Sequence, residues 1–279
     1  MTINSLKVID LTPLSELNIG RRLAEDIDGW SRIGRSNILS SYEKVGSRSD
    51  LEGIFQGIIK SCQIQREVPI LHVEAHGCKE KIYIGDSESL PWSDFLELLR
   101  AVNIATRNNL LVTMAACKSA WLVLSIVLDR PCPFCLLIAP IEDVSVGEVE
   151  DGFRDFYRTL LANNDMNGCL PALNARIVSF GNAFEALDAE VLFREAAKGY
   201  VETFCSGAKR QERLEKLVSR AVAGRITKTI PLPKFRRILR RELRTDPETY
   251  LKPFFDMFMM IDQFPENKNR FEFNIERVK

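Results

Sequence analysis

Residues 69–139 limit the possible folds most. In them, short apolar runs of strand length alternate with helical repeats. Residues 69–74, 81–84, 110–114 and 134–139 each read as a strand, and the segment 92–105 between two of them reads as a helix. Phe95, Leu98, Leu99 and Val102 line one face of that helix, and Pro91 stands at its start. A strand over residues 5–11 and a helix over 148–161 extend the pattern. So does a helix from Ser49 to about Cys62, with Ser49 as its cap and Leu51, Ile54, Phe55 and Ile58 inward. Residues 12–50 carry little pattern beyond a helix near residues 19–30. Strands alternating with helices of this length imply an α/β fold, a mainly parallel sheet with helices on both faces.

Past residue 184 no strand pattern recurs. Residues 183–204, 210–222, 234–244 and 247–261 read as helices, so the expected organisation is an α/β domain over 1–184 and a helical extension over 185–279. The stretch 110–128 holds one charge, Lys118, and is long enough for a membrane span. Its small-residue break at Ala115-Ala116-Cys117-Lys118-Ser119 instead divides it into a buried strand and a buried helix over 119–128. The first residues lack a basic stretch followed by an apolar run, so no signal peptide is expected. Seven cysteines without an export signal fit a reducing, cytoplasmic setting.

Function in parallel sheets collects at the carboxyl ends of strands. Two such ends are unusual: His76-Gly77 after one strand, and Ala116-Cys117-Lys118-Ser119 after another. If the parent strands are adjacent and parallel, both side chains emerge at one sheet edge. A thiol nucleophile needs a base and donors for the oxyanion. His76 is the expected base, Cys117 the nucleophile, and the N–H groups of Gly77 and Cys117 the expected oxyanion hole. Gly77, lacking a Cβ, lets a substrate carbonyl approach the backbone. A helix after Cys117 would favour the thiolate through its N-terminal dipole. His72 lies four residues earlier on the same strand face, about 13 Å away, and reads as a packed core histidine. With only two histidines in the chain, His72 and His76, histidine-dependent chemistry has no other source.

The motifs resemble those of caspase-like (clan CD) cysteine peptidases. His76-Gly77 after Ile70-Leu71-His72-Val73-Glu74-Ala75 is similar to their His-Gly motif, and Ala116-Cys117-Lys118-Ser119-Ala120 to their nucleophile motif. The CHAT branch, which includes separase-like peptidases, is the best match. Ile82-Tyr83-Ile84-Gly85-Asp86, then Leu90-Pro91-Trp92-Ser93-Asp94-Phe95, is similar to its connecting segment, and Val149 to Tyr157 to a helix ending in a Phe-Tyr pair. The Gln-Ala-Cys-x-Gly signature of true caspases is absent, so aspartate specificity is not implied. The resemblance implies a regulated bacterial protease in defence or cell death, with a protein substrate, an activating or regulatory protein partner, and no cofactor. It also implies that the loop 140–144 lines the substrate pocket. Glu142 or Asp143 would there favour a basic P1 side chain, with Asp86 and Glu88 as lesser candidates.

Other uses of these residues have less support. His72 with His76 and Cys132 with Cys135 have zinc-like counts, but they sit in expected strands and no second Cys-x-x-Cys exists. No metal site is expected. Residues 207–244 hold 13 Lys/Arg and three Asp/Glu in a chain of zero net charge. Nucleic-acid binding is one reading, yet no aromatic interrupts the run before Phe235 and no nucleic-acid motif is present. The stripe around Phe254, Phe255, Met257, Phe258 and Met259 is too short to span a membrane and reads as core or partner groove. The alternative to an enzyme is an inactive caspase-like module that binds a partner protein or nucleic acid through the basic helices.

Overall fold

A computed structural model describes residues 3–34, 38–163, 166–179, 183–205, 207–223, 230–243 and 247–274. Among these residues, six strands form one sheet: β1 (Ser5–Asp10), β2 (Leu39–Lys44), β3 (Pro69–Glu74), β6 (Leu111–Ala115), β7 (Leu136–Pro140) and β8 (Phe184–Asp188). Their order is β2-β1-β3-β6-β7-β8, parallel throughout except for the β7–β8 pair. A separate antiparallel hairpin joins β4 (Lys81–Ile84) to β5 (Glu88–Pro91). The expected α/β class, a mainly parallel sheet flanked by helices, is the observed one.

Burial explains which strands lie in the middle. All six residues of β3 are buried, as a central strand covered on both faces requires. Leu6, Val8, Ile70, Leu111 and Ile138 face a cluster built from α1 (Ile19–Gly34) and α4 (Val146–Asn163), which contributes Phe153, Phe156 and Tyr157. The alternate residues Leu71, Val73, Val112 and Met114 are equally buried. On that side α2 (Arg48–Gln65) and α3 (Trp92–Ala105) bury Leu51, Phe55, Phe95 and Leu99.

Several boundaries differ from the expected ones. The cap of α2 is Ser47 instead of Ser49: its hydroxyl accepts the Asp50 N–H at 3.1 Å and donates to the Asp50 carboxylate at 2.7 Å. The helix expected over 119–128 is a 3-10 helix, Ser119–Ser125, burying Ser119 and Leu122 at its three-residue period while Leu124 is exposed. The sheet continues past residue 184. After α5 (Cys169–Asn174), β8 returns antiparallel along β7 and closes that edge.

The chain divides into two compact units, one of residues 1–127 and 131–189, the other of residues 128–130 and 190–279. The second carries α6 (Ala189–Phe204) from residue 190 onward, α7 (Gly207–Ala223), α8 (Leu232–Glu242) and α9 (Pro247–Phe258). In it Phe255, Phe258 and Met259 of the aromatic stripe are buried, and Phe193 packs on Phe255 and Phe258. Parts of the basic run, 224–229 and 244, lie outside the described residues. Among the described residues, no helix is long and apolar enough to cross a membrane.

Candidate active site

The connection β1–α1–β2 leaves β1 on one side, and β3 follows on the other, so the strand order reverses between β1 and β3. Sheets of this kind present a crevice at the carboxyl ends of the strands beside such a reversal. A cleft of about 370 Å³ occupies that place. His76 and Cys117 both line it, together with the β1–α1 loop residues Thr12, Ser15, Glu16 and Leu17. β3 and β6 are adjacent and parallel, with Glu74 opposite Ala115, so the two chain ends that follow them leave the sheet at one edge.

Close backbone contact joins these two ends. A Cβ on Gly77 would stand 2.7 Å from the Cys117 carbonyl oxygen. Glycine is therefore needed for the two motif segments to touch, a role different from the substrate approach expected of it. Next to it, the Tyr83 N–H donates to the His76 carbonyl at 3.0 Å, and the Cys78 N–H to that of Lys81 at 3.0 Å. These bonds tie the His-Gly step to the β4 hairpin through a Gly77–Ile82 bridge. Among the described residues, neither the Gly77 nor the Cys117 N–H is engaged by a backbone carbonyl.

Cys117 sits in a tight turn. Lys118 has left-handed φ and ψ of 57° and 19°, and the Ser119 N–H returns to the Ala116 carbonyl at 3.2 Å. The thiol is partly exposed, and its sulfur accepts the Val144 N–H at 3.5 Å. Only a seven-residue 3-10 helix follows, so the dipole of a full α-helix is not aimed at it.

Glu142 and Asp143 do not line the cleft. The Glu142 carbonyl accepts the Lys118 N–H at 3.1 Å, and the Asp143 carboxylate holds the Lys118 ammonium at 2.6 Å. That hydrogen bond raises the ammonium pKa above its ordinary value. Their loop is thus braced to the turn of the nucleophile, and the Asp143 charge is matched within the protein. Glu88 is likewise committed, accepting the Arg48 N–H at the start of α2 at 2.7 Å. Asp86 lies in the exposed hairpin turn.

Two other carboxylates line the cleft. Glu16 accepts from His76 Nε2, with distances of 2.8 and 3.1 Å to its two oxygens. Glu74 ends β3, only 7% exposed, and the first turn of α1 packs over its carboxyl group. A Cβ on Gly20 in that turn would stand 3.0 Å from Val8 and 3.4 Å from the Glu74 carboxyl carbon, so glycine permits this approach. Leu17, Ile19, Val144, Val146 and Val149 give the cleft apolar walls. Sequence reasoning missed Glu74, although period-two alternation along β3 sets it on the face of His72, two residues before His76, and was the signal that could have found it. No sequence signal singled out Glu16.

His72 belongs to the core. It is fully buried, with Nδ1 2.9 Å from the Thr113 hydroxyl and 3.2 Å from that of Tyr157, and Nε2 3.4 Å from Glu74. Burial raises the Tyr157 hydroxyl pKa. Cys132 is buried too, donating to Asn108 at 3.2 Å, and burial raises its pKa. Among the described residues no three His, Cys, Asp or Glu side chains gather as metal ligands would.

No family model matches the sequence, and neither does any curated protein. Solved structures do. The Drosophila initiator caspase Dronc superposes with a TM-score of 0.49 at 9% identity, over 67% of this chain and 81% of its own. Caspase-1 from Spodoptera frugiperda superposes with a TM-score of 0.42 at 11% identity, over 63% of this chain and 77% of its own.

Proposed function

We propose that this chain is a caspase-like cysteine endopeptidase with a His76–Cys117 dyad. The observation that carries the reading is their meeting in one cleft at the carboxyl edge of the sheet, with Gly77 fitted against the Cys117 carbonyl. A thiol and an imidazole at one mouth supply a nucleophile and its base. Cys117 loses its proton to His76 and its sulfur attacks the peptide carbonyl. The imidazolium then protonates the leaving amine, and water releases the acyl group. The Gly77 and Cys117 N–H groups stabilise the oxyanion, each such donor being worth about 3 kcal/mol. The reaction needs no cofactor or metal.

Glu74, which lines the cleft as Glu142 and Asp143 do not, is the residue that sets the preference for a basic P1 side chain. Its carboxylate lies against the cleft among apolar walls that would hold the methylenes of an Arg or Lys side chain. The CHAT-type motifs support a regulated cytoplasmic protease of a bacterial defence or cell-death pathway, acting on a protein substrate and switched by a partner protein. The second reading, an inactive binding module, draws on α8. There Lys234, Arg237, Arg240 and Arg241 are exposed beside the half-buried Phe235, Ile238 and Leu239. A peptide library resolves the two. Cleavage after Arg or Lys that disappears in Cys117→Ala supports the peptidase. No cleavage, with salt-sensitive retention on nucleic acid, favours the module.

A further inference from the structure

We infer that Glu16 is the positioning residue of the dyad: its carboxylate fixes the tautomer and orientation of His76. The inference rests on the peptidase reading and adds to it a residue from an unrelated stretch of sequence. Three observations carry it. Both Glu16 oxygens lie within hydrogen-bond distance of Nε2, and Glu16 lines the same cleft as Cys117. The loop bearing Glu16 is also anchored at its stem. Fully buried Asp10 accepts the Thr12 N–H at 2.9 Å, the Thr12 hydroxyl at 2.6 Å, the Tyr42 hydroxyl at 2.9 Å and the Lys44 ammonium at 3.0 Å. The Leu11 N–H reaches the Glu74 carbonyl at 2.8 Å, and the Leu11 carbonyl takes the Gly85 N–H at 2.8 Å. The loop therefore starts from the two segments that also hold His76, the end of β3 and the hairpin.

An ionised carboxylate only accepts hydrogen bonds, so the Nε2 facing Glu16 carries the hydrogen. Nδ1 is then the nitrogen with the lone pair. The Cys117 S–H proton passes to Nδ1, the sulfur electron pair forms the S–C bond, and the carbonyl π pair moves onto oxygen. When the C–N bond breaks, Nδ1–H returns that proton to the amine. Between these steps the imidazolium faces a fixed negative charge. His76 and Glu16 are about half exposed, so the pair adds little to fold stability. Its contribution lies in holding one tautomer at one angle, where small misplacements cost rate steeply.

The test uses the full chain with Glu16→Ala, which removes acceptor and charge, and Glu16→Gln, which keeps an acceptor without the charge. Kinetics on an Arg-containing peptide are read beside 15N shifts of the two imidazoles. We expect Glu16→Ala to lower kcat roughly 10- to 100-fold with KM little changed. The His76 signals should pass from a single Nε2–H form to a tautomer mixture. Glu16→Gln should restore the tautomer and part of kcat. Unchanged 15N signals with wild-type kcat in Glu16→Ala overturn the inference and leave the peptidase standing. Faster cleavage by Glu16→Ala also overturns it, making Glu16 a brake. A wild-type protein that cleaves nothing, while Glu16→Ala changes the 15N pattern, breaks the peptidase reading and leaves the pairing.

Discussion

Two histidines four residues apart have opposite surroundings. His72, inside β3, has both ring nitrogens within bonding distance of buried partners: Thr113 and Tyr157 on one side, Glu74 on the other. His76, past the strand end, has one nitrogen toward Glu16, and half of its side chain is exposed at the cleft. In the sheet interior, neighbouring strands enforce a closed polar network. At the rim the ladder has ended, and loops from distant stretches decide what each side chain meets. The same imidazole is thus a structural bond in one place and an available base in the other.

The largest effect should separate rim from interior. Cys117→Ala and His76→Ala should each abolish peptide cleavage, by more than about a thousandfold, with little change in melting temperature. The double variant should lose hardly more, because groups acting as a unit are not additive. Full additivity, read from kcat/KM of the three variants, would break the dyad.

His72→Ala should do the reverse. Removing it leaves the Thr113 and Tyr157 hydroxyls with only each other, at 2.7 Å, takes the Nε2 partner from Glu74 and opens a cavity beside Phe153, for a loss of about 2–4 kcal/mol in urea unfolding. The folded fraction should still cleave. If His72→Ala is stable but dead, the base is His72 and not His76.

Gly77→Ala tests the seam between the motif segments. Its Cβ meets a backbone oxygen that can yield only by moving the turn at Cys117, so kcat should fall roughly 10- to 100-fold. A near-native rate would mean that the contact does not position the nucleophile.

A smaller difference concerns acids. Glu74→Gln should weaken the preference for Arg over apolar P1 residues, whereas Asp143→Asn should leave it unaltered, since Asp143 is spent on Lys118. The opposite result, measured as a ratio of kcat/KM values, would return specificity to the loop 140–144.

The smallest effect contrasts the rim thiol with a buried one. Burial pushes the Cys62 thiol up to about 11 from an ordinary value of 9. The unfolded thiol ionises first as pH rises, so this contribution is intact below pH 9 and disappears as pH climbs from 9 through 11. Cys62→Ala should flatten that part of the alkaline stability curve, and an unchanged slope would contradict it.

The central strands were readable because burial on both faces demands unbroken apolar runs, as in Ile70-Leu71 and Leu111-Val112. The motifs at their ends were readable as residue types, whereas their shared edge depended on β3 and β6 being adjacent and parallel. The two edge strands were not readable. β2, Leu-Ser-Ser-Tyr-Glu-Lys, has no fully buried residue, and β8 buries only Phe184, so neither shows a hydrophobic period. The same reason hides β5, a four-residue strand with one buried side chain.

By itself, the amino-acid order determined the α/β class and the strands that lead into His76 and Cys117, and it set His72 inside one of them. Each of these follows from local periodicity, because a side chain's face on a strand is set by its parity. Only the tertiary structure decided that Glu16 reaches His76 across 60 residues, that Glu74 borders the cleft and that Asp143 is neutralised by Lys118. Those pairings join the ends of different elements, where strand order and loop paths set which residues meet. No short-range pattern in a sequence encodes that.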